Sequence, residues 1–127
     1  KQVAAELEGR EAQLRALINA MPDIVCFKSG DGRWLEANAF AVRLFGLEGV
    51  DYRGKTDAEL TGYSPSCREV FQRCEETDER AWQRGESSRS DERIPQPDGT
   101  DHIFDTIKIP RFDDQGRRHS LRGSHDP

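Results

Sequence analysis

Three cysteines, three histidines and scattered carboxylates are the side chains of this 127-residue chain that could hold a metal or attack a substrate. Cys26, Cys67 and Cys74 are odd in number and show no Cys-x-x-Cys spacing, which argues against a disulfide framework and against a zinc knuckle. Cys67 and Cys74 stand seven residues apart, two turns along one helical face, too far to bridge each other or to share a metal. All three read as small buried hydrophobes in a reducing, cytoplasmic setting. The chain has no Gly-rich phosphate loop, no Gly-x-Ser-x-Gly elbow, no His-Glu-x-x-His pair and no spaced acidic pair with a histidine partner. No catalytic residue and no metal ligand is therefore assigned.

A cation in a strand is the more informative candidate. His102, Phe104, Thr106 and Lys108 alternate on one face, opposite Ile103, Asp105, Ile107 and Ile109. Lys108, together with His102, either meets an anionic ligand such as a carboxylate, or else snorkels to solvent or pairs with Asp or Glu, which is the commoner fate of a lysine. Trp34 and Trp82 either line a cavity or fill a core. The charged run at residues 75–80 reads as a solvated helix face.

Bulk properties narrow the classes further. The length suits one core, and the equal shares of apolar and charged residues, 34% each, predict that this core is modest. A net charge of −5 disfavours a phosphate lattice as partner, so nucleic acid is not expected. No stretch is apolar enough to span a membrane, and the charged, helical N-terminus does not resemble a signal peptide, so no membrane contact by this segment is expected. Starting at Lys1 and stopping at Pro127, the sequence reads as a piece of something longer.

These candidates must be positioned by the following elements. Residues 1–20 lack proline, are rich in helix formers, and carry Val3, Leu7, Leu14, Leu17 and Met21 on alternating steps of four and three, broken only at Arg10. That is the seam of a two-stranded coiled coil or of a helix lying on a sheet. Pro22 stops the helix. Residues 24–28 and 33–37 predict a β-hairpin around Gly30-Asp31-Gly32. Asn38 caps a short helix ending at Gly46, and the glycine-broken stretch to Ser66 leaves room for one helical turn at residues 56–60. Cys67, Val70, Phe71, Cys74, Ala81 and Trp82 mark the apolar stripe of a long helix ending at Gly85. Strands follow at residues 87–95, 101–112 and 117–122, joined by two Asp/Gly-bearing turns. The expected fold is α+β: a five-stranded antiparallel sheet with helices packed on one face, preceded by an N-terminal helix.

Several short motifs, in order over residues 21–118, resemble the PAS family, in particular the bacterial kind that precedes histidine kinase or diguanylate cyclase (GGDEF) modules. They are Met21-Pro22-Asp23, Gly32-Arg33-Trp34-Leu35-Glu36-Ala37-Asn38, Leu44-Phe45-Gly46, Gly54-Lys55-Thr56-Asp57-Ala58-Glu59-Leu60, Pro97-Asp98-Gly99, Ile107-Lys108-Ile109-Pro110 and Asp114-Gln115-Gly116-Arg117. The family's last strand usually ends in an apolar run and Asp-Ile-Thr; here stands Leu121-Arg122-Gly123-Ser124-His125-Asp126-Pro127, a departure at the last strand.

The resemblance implies a connector helix at residues 1–20 and a sensory domain at 21–127, the latter enclosing a small-molecule pocket between the long helix and the inner sheet face. Phe27, Phe45, Val70, Phe71, Cys74, Phe104 and Lys108 are the expected ligand-binding residues. Signals would pass through the flanking helix, whose heptad seam suits a homodimer. The alternative is a ligand-free dimerisation and relay module whose core those same aromatics fill. Flavin sensors of the family carry a reactive cysteine in an Asn-Cys-Arg-Phe motif where this chain has Thr56-Asp57-Ala58-Glu59, and haem sensors use a histidine on the long helix, where none occurs. Flavin and haem are thus disfavoured as cofactors.

Overall fold

The computed structural model describes residues 2–20, 23–96 and 98–126, with the side chains of 2–5, 125 and 126 excepted. Helix α1 (Gln2–Ala20) leads into strands β1 (Ile24–Ser29) and β2 (Trp34–Ala37). Helices α2 (Ala39–Leu44) and α3 (Asp57–Thr61) follow, then a 3-10 turn at Pro65–Cys67 and the long helix α4 (Arg68–Arg84). Strands β3 (Ser88–Pro95), β4 (Asp101–Phe112) and β5 (Arg118–Asp126) complete the chain. The strands form one antiparallel sheet in the order β2-β1-β5-β4-β3, so the last strand sits at the centre. This matches the expected five-stranded α+β architecture.

Local chemistry sets the boundaries. Asn38 caps α2 by accepting from the Ala41 amide, and Thr56 caps α3 through a reciprocal capping box with Glu59. Gly85 ends α4 in the left-handed conformation that its missing Cβ permits. β5 differs from its expected span of 117–122: it runs on to Asp126, because it pairs with β1 from Ile24↔His125 to Ser29↔Ser120 and with β4 on its other edge. Ladder hydrogen bonds on both sides hold a polar strand that the apolar pattern alone would have ended.

Period-two alternation gives the sheet an inner face that meets α2, α3 and α4. Ile24, Cys26, Lys28, Trp34, Ile94, Phe104 and Leu121 are buried there with Phe45, Leu60, Val70 and Phe71 from the helices and loops. Trp34 makes edge contacts with Phe45, Tyr52 and Phe71, and Phe45 stacks on Phe71 at 5.5 Å between centroids. On α1, Leu7, Leu14 and Leu17 are each more than half exposed, so this part of the heptad seam is uncovered within the chain. Met21 lies outside the described residues, and the Val3 side chain is likewise not described. No helix among the described residues is long and apolar enough to cross a membrane.

Candidate functional site

Five ionisable side chains are buried where α4 and α3 meet the inner sheet face. Lys28 of β1 and Lys108 of β4 project from the sheet, as does Glu92 of β3, while Asp57 opens α3 and Asp78 lies on α4. Each is less than one-tenth exposed. Lys28 Nζ lies 2.8 Å from Asp57 Oδ2 and 2.6 Å from Asp78 Oδ2. Lys108 Nζ lies 2.8 Å from Asp78 Oδ1, an ion pair out of hydrogen-bond alignment, and 3.8 Å from Glu92 Oε1. One carboxylate thus joins two ammonium groups.

The surrounding groups complete this arrangement. Trp34 Nε1 donates to Asp57 Oδ1 at 2.6 Å, and Lys28 lies over the Trp34 ring. Thr77 Oγ1 lies 3.2 Å from both Glu92 Oε1 and the Cys74 carbonyl, and the Cys74 thiol lies 3.6 Å from Glu92 Oε2. Gly123 leaves space for this packing, since a Cβ there would stand 3.3 Å from Cys26 Sγ and 3.8 Å from Lys108 Nζ. The Thr106 hydroxyl, fully buried two residues before Lys108, has no hydrogen-bond partner among the described residues.

Burial is the largest single effect and pushes both lysines toward the neutral amine, but the neighbouring groups together outweigh it, Asp78 first at each, followed by Asp57 at Lys28 and by Cys74 and Glu92 at Lys108. Both are held above the ordinary lysine value. Burial likewise works against the Asp78 carboxylate, and Lys28 and Lys108 overcome it, holding its pKa below the usual value. Burial pushes the Cys74 and Cys26 thiols up, the opposite of what an activated nucleophile needs. The site can hold fixed charges and polar ligand groups, and its thiols stay protonated near neutral pH.

Six of the seven expected ligand-binding residues come together here: Phe45, Val70, Phe71, Cys74, Phe104 and Lys108 are all buried at the junction of the helices and the inner face. Phe27 does not join them. It alternates away from Cys26 and Lys28 and is half-buried on the outer face, opposite Glu36 and Arg122. His102 is exposed at the start of β4, apart from Lys108. Lys108 neither snorkels nor stands free; it is ion-paired.

The reading of residues 75–80 as a solvated face is corrected at Thr77 and Asp78, each buried to 8% exposure. Asp78 falls four residues after Cys74 and seven after Phe71, on the apolar stripe itself. Lys28 had a comparable signal, two residues beyond Cys26 in a strand that alternates inward, and Glu92 stands two before the buried Ile94. Asp57, at the start of a one-turn helix, had no periodic signal at all.

Two clefts lie near this region. One of about 230 Å³ is lined by Asp57, Asp78, Glu75, Trp82 and Arg118 and approaches the ion network from solvent. A larger open one, about 810 Å³, runs between the start of α4 and β3–β4, past Arg68, Arg73, Arg93 and Ile103, and shares only Val70 with the expected set.

The sequence matches the family model described as "PAS fold" over residues 18–123. It is 28% identical over 119 residues to the aerobic respiration control sensor protein ArcB of Escherichia coli K12, covering 91% of this chain. The match spans 14% of that relative's length. Among solved structures, the PAS domain of Bordetella pertussis BvgS superposes with a TM-score of 0.69 at 21% identity, covering 94% of this chain and 87% of that one. VqmA bound to DPO gives a TM-score of 0.73 at 23% identity, covering 91% of this chain and 56% of that one. The Vibrio cholerae VqmA–ligand–DNA complex gives 0.73 at 23%, with 91% and 50% covered.

These structures correct the exclusion of nucleic acid. A protein that contains this fold is solved in complex with DNA, and the likeness covers only half of its chain. A net charge of −5 constrains the surface of these 127 residues alone and says nothing about what accompanies them. One of these neighbours is itself solved with DPO bound. Fold, capping residues and family match over residues 18–123 agree: the chain belongs to the PAS family of sensory domains.

Proposed function

We propose that this chain is the sensory input domain of a larger bacterial signalling protein of the sensor histidine kinase kind, responding to a small polar molecule held against the inner sheet face. The supporting observation is the polar interior itself. Burying five ionisable groups is costly, and apolar residues of similar volume would stabilise such a core as well or better. A ligand that makes hydrogen bonds with Lys108, Thr106 or their neighbours would give that arrangement a purpose, and the Thr106 hydroxyl is already without a partner among the described residues. The likeness to ArcB supports a sensor-kinase context and the likeness to DPO-bound VqmA supports a small-molecule ligand. A diguanylate cyclase output would suit the same input domain, in a cytoplasmic setting either way. The chemistry of signalling would belong to that output module, with none carried by this segment.

One observation favours a second reading. Phe45, Phe71 and Trp34 pack edge-to-face and stacked in the space where a ligand would lie. A core so filled suits a ligand-free relay module, with the uncovered leucines of α1 as its contact to a second helix. Native mass spectrometry of the purified protein separates the two. A reproducible added mass that is lost on denaturation supports the sensor. A protein that carries no added mass, and gains none when challenged with a library of small metabolites, sinks the ligand and leaves the relay.

A further inference from the structure

The β1–β2 hairpin is fastened at both ends to different parts of the molecule. At one end Lys28 and Trp34 reach Asp57 and Asp78 in the buried ion network. At the other end lies Asn38, immediately after β2 and fully buried, with all four of its hydrogen-bonding positions in use. Its Oδ1 accepts from Val25 N at 3.1 Å and from Ala41 N at 3.0 Å. Its Nδ2 donates to Ile18 O at 3.1 Å and to Asp23 O at 2.6 Å. Asn19 Oδ1 adds a second tie from α1 by accepting from Ala39 N at 2.9 Å.

From this geometry we infer that the hairpin is a lever coupling the buried ion network to the last turn of α1, with Asn38 as its latch. Only a few residues separate the two sets of anchors: Val25 to Lys28 along β1, and Trp34 to Asn38 along β2. The two strands are paired on both sides of a register irregularity between Phe27 and Lys28, so a shift of the Lys28 and Trp34 anchors is transmitted along the strand pair and not through a free loop. Asn38 cannot follow such a shift and keep its bond to Ile18 in α1, because each of its polar atoms already bonds two partners at once. Ion pairing in the core and docking of α1 are therefore linked equilibria, in which whatever disturbs one loosens the other. The device goes beyond the sensory reading, since the linkage exists whether or not a ligand binds.

Hydrogen exchange followed by mass spectrometry on the 127-residue chain tests it without any ligand. Trp34→Phe keeps an aromatic ring but removes the Nε1 bond to Asp57 together with part of the indole's packing on Phe45, Tyr52 and Phe71, so Asp57→Asn serves as the variant without a packing change. Amides in the last turn of α1 are expected to exchange on the order of tenfold faster in Trp34→Phe, while those of β3 and β4 keep their wild-type rates. Asp57→Asn, which keeps the shape and removes the charge that holds Lys28, is expected to give the same pattern. Asn19→Ala loosens α1 directly, and adding Trp34→Phe to it should then accelerate the α1 amides by less than the product of the single effects. Unchanged α1 exchange in Trp34→Phe and Asp57→Asn overturns the lever. So does an acceleration shared equally by β3 and β4, which is general destabilisation, and so does strict additivity with Asn19→Ala. A failed ligand screen leaves all three outcomes as they are.

Discussion

Asp78 stands 2.6 Å from Lys28 across the joint between α4 and β1, and its other carboxylate oxygen is the nearest counter-charge to Lys108. Removing this one carboxylate leaves the buried ammonium of Lys28 to Asp57 and that of Lys108 to the more distant Glu92. Asp78→Ala is expected to destabilise the domain by about 3–5 kcal/mol, the cost of breaking a buried pair. The check is urea denaturation, read as a change in midpoint at constant slope. A loss below about 1 kcal/mol would mean that the network is held open to water and contributes as a surface pair does.

The pH dependence follows from the same groups. Asp78 has a folded pKa below its ordinary 3.8, so its contribution is present above that value and is lost as pH falls through the depressed one. Lys28 and Lys108 have folded pKa values above the ordinary 10.5, so theirs is intact below that value and lost only as pH rises beyond it. The thiols act sooner: Cys26 and Cys74 ionise at an ordinary 9.0 in the unfolded chain and higher in the fold, which favours unfolding as pH rises past 9.0. Denaturation midpoints measured from pH 3 to 11 should form a plateau through neutrality, with an acid fall below about 4 and an alkaline fall from about 9. A stability peak confined near pH 6 would contradict this assignment.

How much of this was legible beforehand depends on whether a residue's burial is decided locally. The strands and the long helix follow from period-two and helical patterns, and Asn38 and Gly85 mark helix ends through their own backbone chemistry. Lys108 could be singled out because a lysine in a central strand stands against the pattern. Lys28, Asp78 and Glu92 occupy equally inward positions, yet each charge taken singly belongs in water. Their burial is possible only because they meet one another across β1, α4, β3 and β4, and those meetings are long-range contacts that no spacing encodes. The end of β5 escapes the pattern for a related reason: from Ser120 to Ser124 only Leu121 and Gly123 turn inward, so pairing on both edges, and not an apolar run, sustains the strand.

Gly123 offers a local probe of how tightly the network is packed. An added methyl group would press on Cys26 Sγ at 3.3 Å and touch Lys108 Cδ at 3.7 Å. Gly123→Ala is expected to cost roughly 1–2 kcal/mol from overpacking. Cys26→Ala removes the sulfur it meets, so in that background the cost should fall substantially. Equal costs in both backgrounds would show that the methyl group is accommodated elsewhere and that Gly123 is not what shapes this corner of the site.

Thr106 separates a structural interior from a functional one. Its hydroxyl is fully buried and has no partner among the described residues, so replacing it by the nearly isosteric valine removes an unmet polar group. For the protein without ligand, Thr106→Val should therefore leave stability unchanged or raise it by about 1 kcal/mol, as read from the thermal midpoint. If a small molecule binds at this face, the same change should weaken its retention in native mass spectrometry while the fold gains. A variant that is less stable than the wild type would mean that the hydroxyl is satisfied by buried water and serves the fold. A variant that is more stable and keeps its ligand would place the binding surface away from β4, on the side of the cleft formed by Asp57, Glu75 and Trp82.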